Sequence, residues 1–313
     1  METVKDMTRP HFTGTWIRNA ILNGRNRYIQ DLEHIPAFPI ADEILICGTG
    51  PSLNKDFIAI RTRIMNKAKN QMLIIANHSN LSTLLYEGIV PHMVVVADSG
   101  DPTFLRIKRD VLPHFKSVLR HAGTAFIMPT HAHPKLIDIL LDAKMSVFYF
   151  LSLFRNETDD EFNNFYNQAL FAAAEPEREA VHTCILQAGS VTNAAVLVCN
   201  ALKMLNKIPL VTDVRLTGVD YSYPHGITRC RQVTWNSEVK DFDVEDEPVF
   251  LGEEILRVKC NGLPTSEEQL AYYRDLRFIN KNLVEMVKPE ERVFNISTTQ
   301  DNFIADFLPV IPL

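Results

Sequence analysis

The residues with the most chemistry to offer begin where an apolar run, Ile44-Leu45-Ile46-Cys47, stops abruptly at Gly48-Thr49-Gly50-Pro51-Ser52-Leu53. A buried strand followed by two glycines and a proline-serine pair brings backbone amides toward a phosphate at a helix start. A nucleotide is therefore the first ligand this pattern predicts. The same turn also occurs where a strand and a helix simply pack closely, and the motif alone does not separate the two uses. Leu53 stands where the dinucleotide fingerprint requires a third glycine, which disfavours NAD and FAD. No Gly-Lys-Ser/Thr occurs anywhere in the chain, so an ordinary P-loop ATPase is disfavoured as well.

Four further polar groups follow apolar runs: Asn77-His78-Ser79-Asn80, the Asp98 to Pro102 loop, Gln187 to Asn193, and Gly218 to Gly226. The Asn77 amide both donates and accepts, which suits a ribose hydroxyl or a base edge, and equally suits a cap on the next helix. Asp98 and Asp101 share one loop and could hold Mg2+ through one or two oxygens and waters; the alternative is that Asp101-Pro102 merely opens a helix. Gln187 to Asn193 precedes an Ala-rich helix whose leading amides and hydroxyls suit a phosphate. Asp220, Tyr221, Tyr223 and His225 form the densest acid-base group, and no histidine follows His225. Other features read plainly: His131 and His133 lack a third metal ligand, and Cys47 lacks a basic partner and reads as a small buried residue. Ser190 is not set in a Gly-x-Ser-x-Gly elbow.

These loops need strands to carry them. Apolar runs at Ile44–Cys47, Met72–Ala76, His92–Ala97, Ala125–Met128, Ser146–Phe150 and Val214–Leu216 alternate with helical patterns. That alternation specifies an α/β, Rossmann-like, mostly parallel sheet with helices on both faces. In such a sheet ligands sit outside the carboxyl ends of the strands, where these loops fall. An amphipathic stretch from Trp16 to Leu32 predicts an N-terminal helical extension, residues 1–40, docked on a nucleotide-binding core of residues 41–226. Residues 154–182, rich in Asn, Asp, Glu and aromatics, read as a helical insertion in the position of a lid. Residues 227–313 form a small C-terminal α+β segment, with a hairpin around Gly252 and a helix from Ser266 to Val287 capped by Pro264-Thr265.

Composition bounds the class. With 313 residues, 46% hydrophobic and 22% charged, the chain can bury a full core. No run reaches the length of a membrane span and the N-terminus is too polar for a secretory signal, so a cytoplasmic protein is the expectation. Five scattered cysteines without a Cys-x-x-Cys pair fit reduced thiols. A formal charge of -6 argues against bulk nucleic-acid binding. Arg106, Lys108, Arg109, Lys116 and Arg120 recur on one helix and read as a solvated face. Self-association is left open.

The joint pattern resembles a superfamily that holds the archaeal 6-hydroxymethylpterin pyrophosphokinases (MptE-like proteins) and the motility accessory factor proteins of flagellin glycosylation. More distantly it is similar to the bacterial sialyltransferases that use CMP-sialic acid. The resemblance is carried by Gly48 to Leu53, by Asn77 with Gly88-Ile89-Val90-Pro91 and Val94 to Asp98, by Gly189-Ser190-Val191 with the helix Ala194 to Leu205, and by Leu216 to Tyr221. It implies a nucleotide held by Gly48, Thr49, Gly50, Ser52 and Asn77, with Gly189 and Ser190 near the phosphates or the transferred group. It also implies a transferase. One form is a glycosyltransferase using a nucleotide-sugar donor and a hydroxyl acceptor; the sialyltransferases carry their catalytic histidine farther along the chain, and it is the local acid-base group that offers His225 as base with Asp220 and Tyr221 beside it. The alternative is a pyrophosphokinase using ATP and Mg2+ held by Asp98, Asp101 or Asp220. A nucleotide-binding protein without turnover is the third reading.

Overall fold

The computed structural model describes residues 4–24, 26, 30–68, 71–97, 100–153, 183–186, 190–210, 212–221, 230–245, 258–260, 263–285, 296–299, 308–311 and 313. The strands are β1 (Gln30–Asp31), β2 (Glu43–Cys47), β3 (Met72–Asn77), β4 (Met93–Val95), β5 (Ala125–Pro129), β6 (Ser146–Leu153), β7 (Cys184–Leu186), β8 (Asp213–Thr217), β9 (Gln232–Asn236), β10 (Asp241–Glu245), β11 (Val258–Cys260), β12 (Leu263–Thr265) and β13 (Ile296–Thr298). Nine of them form one sheet in the order β1-β6-β5-β4-β3-β2-β8-β13, with β7 paired to the far end of β6. Every pairing in that sheet is parallel. Strands β9 and β10, and β11 and β12, make two small antiparallel hairpins.

Every residue of β2, β3, β4 and β5 is buried, as expected of parallel strands covered on both faces. Alternation then sorts the side chains into two cores. Ile44, Ile46, Leu73, Ile75, Met93 and Val95 face one side, where α7 (Val191–Met204) contributes Ala195, Val198 and Leu202, and α8 (Glu267–Glu285) contributes Leu276 and Ile279. On the other side, Leu45, Cys47, Ile74, Ala76 and Val94 meet Phe57 and Ile60 of α2 (Leu53–Asn66), Leu84 of α3 (Leu81–Tyr86), Leu119 of α5 (Leu112–Ala122) and Leu136 of α6 (Pro134–Asp142). A short helix α4 (Asp101–Arg106) runs through one π-helical turn into α5.

The N-terminal helix α1 (Val4–Gly24) ends earlier than the amphipathic pattern to Leu32 suggests. Gln30 and Asp31 leave it to pair with Phe148 and Tyr149 at the sheet edge. Asp31 explains the change: its carboxylate accepts from the Glu33 amide at 2.8 Å, from the Thr183 amide at 3.0 Å and from the Thr183 hydroxyl. That tie needs a residue remote in sequence, so no local periodicity announces it. Helix α1 docks through Asn23, whose amide nitrogen donates to Thr130 O and Ala132 O, both at 2.8 Å, and through Trp16 packed 5.2 Å from the His131 ring. The C-terminal helix is capped by Ser266, whose hydroxyl accepts from the Gln269 amide at 3.2 Å; Pro264 and Thr265 belong instead to β12. The insertion at 154–182 and the turn around Gly252 lie outside the described residues. Among the described residues, no helix is long and apolar enough to cross a membrane.

Candidate nucleotide site at the crossing of two loops

Strand β2 is followed by β3 to β6 on one side and joined by β8 on the other, so the winding reverses between β2 and β8. The crevice at their carboxyl ends is where an open parallel sheet offers a binding site. Here the loops cross at close range. Gly50 N donates to Gly218 O at 2.6 Å, Gly48 N to Thr217 O at 2.7 Å, and Cys230 N to Thr49 O at 2.8 Å. A Cβ on Gly48 would lie 2.3 Å from Gly218 O, and one on Gly50 would lie 2.2 Å from Asp220 Oδ2. Gly218 turns with φ +65°, where L side chains are disfavoured. The two glycines of the β2 loop thus serve the close approach of chain to chain. Asn80 completes the clamp, donating to Cys47 O at 3.0 Å and Gly48 O at 2.6 Å.

Asp220 is buried in this crossing, with 3% of its surface exposed, and its Oδ2 accepts from Ser52 N at 2.9 Å. Ser52 is the cap position of α2, so Asp220 places a carboxylate against a helix N-terminus, the end that favours negative charge. A ligand phosphate on that amide would have to take the carboxylate's place. Among the described residues the buried Ser52 Oγ has no hydrogen-bond partner. Neighbouring Tyr221 is also buried and holds φ +47°, a conformation a tyrosine rarely adopts. Its hydroxyl donates to Asn193 Oδ1 at 2.5 Å, and its carbonyl accepts from Thr265 Oγ1 at 2.7 Å. Burial pushes the phenol up from its ordinary pKa, against a smaller opposing pull from the Ser190 hydroxyl.

The start of α7 lies against the same group. Ser190 Oγ accepts from Asn193 N at 3.1 Å as the helix cap, and the Asn193 side chain donates to Tyr272 O at 3.0 Å. Asn77, at the end of β3, donates through Nδ2 to Thr192 Oγ1 at 2.9 Å. Asn77 is 3% exposed, and its buried Oδ1 has no partner among the described residues. With Nδ2 bonded to Thr192, the amide oxygen is left unsatisfied near the first turn of α7, where helix amides have no intrahelical carbonyl to meet.

Gly48, Thr49, Gly50, Ser52, Asn77, Ser190, Asp220 and Tyr221 are therefore joined by contacts at one edge of the sheet. Asp101 stands apart: its side chain is 73% exposed and accepts from His133 Nε2 at 2.8 Å. His133 Nδ1 in turn accepts from the Lys135 amide at 3.2 Å, which puts the proton on Nε2, and its ring stacks on Phe104 at 5.4 Å. His131 is held elsewhere against Trp16, and burial lowers its pKa to about 3, so it stays neutral. Cys47 is fully buried with its thiol pushed far up by desolvation. Three of the five cations on the α4–α5 helix have partners within the chain: Arg106 donates to Ser79 O at 2.7 Å, Arg109 to both Asp110 oxygens at 2.7 and 2.9 Å, and Lys108 Nζ lies 5.6 Å from the centre of the Phe104 ring. Asp98, Gly189, Tyr223 and His225 lie outside the described residues. Among the described residues no three His, Cys, Asp or Glu side chains converge on a point where a metal ion could sit.

Sequence reasoning assigned no role to the side chains of Asn80 and Asn193, although Asn80 sits in a strand-end loop and Asn193 opens α7. The Ser190-x-x-Asn193 spacing of a capped helix start was the available signal.

The comparisons with known proteins agree with this architecture. The family model described as 6-hydroxymethylpterin diphosphokinase MptE-like matches residues 16–225. No curated protein matches the chain. Among solved structures, the MAf glycosyltransferase from Magnetospirillum magneticum AMB-1 is similar with a TM-score of 0.53 and 14% identity; the match covers 96% of this chain and 38% of that protein. The chain thus spans well under half the length of that neighbour, and the likeness at this identity is one of fold. With the family model covering the docking end of α1 from residue 16, the crossing of the β2 and β8 loops and the start of α7 alike, the chain belongs to the 6-hydroxymethylpterin diphosphokinase MptE-like family.

Proposed function

We propose that the chain is a nucleotide-dependent transferase that moves a sugar from a nucleotide-sugar donor to a hydroxyl acceptor. The observation that carries this reading is the unsatisfied end of the Asn77 amide, buried at the carboxyl edge of β3 and tied to Thr192 at the start of α7. A buried amide of this kind costs free energy until a ligand or water meets it, and a nucleoside supplies hydroxyl and ring groups that can. The adjoining helix start favours a ligand's negative charge. The glycosyltransferase neighbour of the same fold supports the sugar-transfer form. His225 would act as base toward the acceptor hydroxyl, in a cytoplasmic setting. A second reading, transfer of diphosphate from ATP to a hydroxymethylpterin-like substrate, is favoured by the description of the family itself. In that reading Asp98 and Asp101 would hold Mg2+, and Asp101 could offer its second oxygen while Oδ1 keeps the His133 contact.

A thermal-shift screen against CMP, UDP, GDP, ADP and ATP, each with and without Mg2+, tests both readings, because a ligand that binds only the folded state raises the melting temperature. Stabilisation by a pyrimidine nucleotide or GDP that disappears in Asn77→Ala is the expected result. A response to Mg-ATP alone selects the diphosphate reading, and no response from any nucleotide overturns the site.

A further inference from the structure

We propose that Asp220 is the resident anion of the α2 N-terminus and so the residue that keeps phosphate out of the Gly48 to Ser52 loop. The sequence of that loop invites the opposite expectation, since two glycines ahead of a helix are the usual means of bringing amides to a phosphate. In the structure that place is filled from within. Asp220 arrives on the loop after β8, 168 residues along the chain from Ser52, and its Oδ2 accepts from Ser52 N at 2.9 Å. The fit is close on three sides. Gly50 lacks the Cβ that would stand 2.2 Å from the same oxygen, Gly218 turns the chain back at φ +65°, and Asp220 is buried. Helix α2 runs for 14 residues, so the terminus it presents carries the partial positive charge of a full helix. A second anion brought to it would face the carboxylate across a contact distance with little water between. Asp220 is therefore a specificity-determining residue. Negative ligand charge is turned away from the Ser52 amide of the β2 loop. The assignment of the anion stands on the contacts alone; its consequence for ligand orientation rests on the nucleotide reading above.

The test needs no nucleotide. The full chain is melted as wild type, Asp220→Ala and Asp220→Asn in sodium chloride, sodium formate and sodium phosphate of matched ionic strength. Asp220→Ala should melt lower than wild type in chloride and recover at least half of the loss in formate or phosphate, as an external anion enters the vacated place. Wild type should show only the general, site-independent gain that phosphate gives a folded chain, and recovery is counted beyond that gain. Asp220→Asn, which fills the volume without the charge, should be destabilised and not recover. Asp220→Ser serves as a second variant that leaves room for an ion if the alanine chain does not fold in chloride, and folding restored only by formate or phosphate counts as rescue. Equal melting of the folded variants in all three salts, failure of both small variants to fold in any of them, or a wild type that responds to phosphate as strongly as the variants overturns the proposal. Rescue in a protein that binds no nucleotide would keep the anion assignment and remove the transfer reading. Nucleotide binding without rescue would do the reverse.

Discussion

Gly50→Ala interrogates the crossing of the β2 and β8 loops most directly. The added carbon would stand 2.2 Å from Asp220 Oδ2 and 2.8 Å from both Asp220 Cγ and Gly218 O. None of these contacts is tolerable, so the carboxylate must swing off the Ser52 amide or the two loops must part and stretch the 2.6 Å bond from Gly50 N to Gly218 O. Loss of a hydrogen bond to a charged group costs about 1.5–3 kcal/mol, and forcing a methyl into a packed site about 1–3 kcal/mol. Moving Asp220 relieves two of the three contacts and leaves the one to Gly218 O, so the two costs overlap in part and about 3 kcal/mol is expected in total. Urea denaturation followed by tryptophan fluorescence reads this, since Trp235 stands on β9 and Trp16 on α1. The decisive measurement is the cycle with Asp220→Ala. Without the carboxylate only the Gly218 contact remains, so the alanine at 50 should cost about 1–2 kcal/mol less in that background, within the range that touching residues couple. A cost below about 1 kcal/mol in the wild-type chain, or an equal cost in both backgrounds, would refute the idea that Gly50 exists to admit Asp220.

Two further outcomes follow from buried groups. His131, whose folded-state pKa is lowered from 6.5 to about 3 by burial, refuses a proton that the unfolded chain accepts below pH 6.5; its contribution to stability is present above that pH and is lost as pH falls. Between pH 7 and pH 5 the loss is about 2 kcal/mol, from about 1.4 kcal/mol per pH unit once well below 6.5. Denaturation curves at the two pH values should show that loss in the wild type and a loss smaller by the same amount in His131→Phe; an identical acid loss in both chains sinks the assignment. Tyr221→Phe removes the donor to Asn193 Oδ1 and should cost about 1–2 kcal/mol in calorimetry. A melting temperature equal to wild type would show that the phenol is not part of the frame that holds α7.

The sheet was legible because its signals are local. Ile44 to Cys47, Met72 to Ala76 and Ala125 to Met128 are apolar runs of strand length, and each strand ends within one residue of its run, before Gly48, at Asn77 and at Pro129. The loops that carry the site could likewise be placed at the carboxyl edge from order alone. Thr265 and Ser266 illustrate the usual limit, since a cap displaced by one or two residues is decided by which hydroxyl reaches the helix amide. Gln30 and Asp31 illustrate a deeper one. Their strand is two residues long and is fixed by an edge partner and by Thr183, so nothing within the window from Trp16 to Leu32 could reveal it.

The sequence by itself determined that this chain builds a mostly parallel α/β sheet and that its polar residues gather where such sheets bind ligands, because strand periodicity and strand-end loops are properties of neighbouring residues. Only the tertiary structure decided what those loops do with one another. The glycines at 48 and 50 are as consistent with a phosphate cradle as with a close crossing until Gly218 and Asp220 are brought from the far side of β8 to fill the space. The unsatisfied end of Asn77 has meaning only once Thr192 is seen to hold the other end. Both facts depend on contacts across more than a hundred residues, and contacts of that range are set by the packing of the whole sheet rather than by any stretch of it.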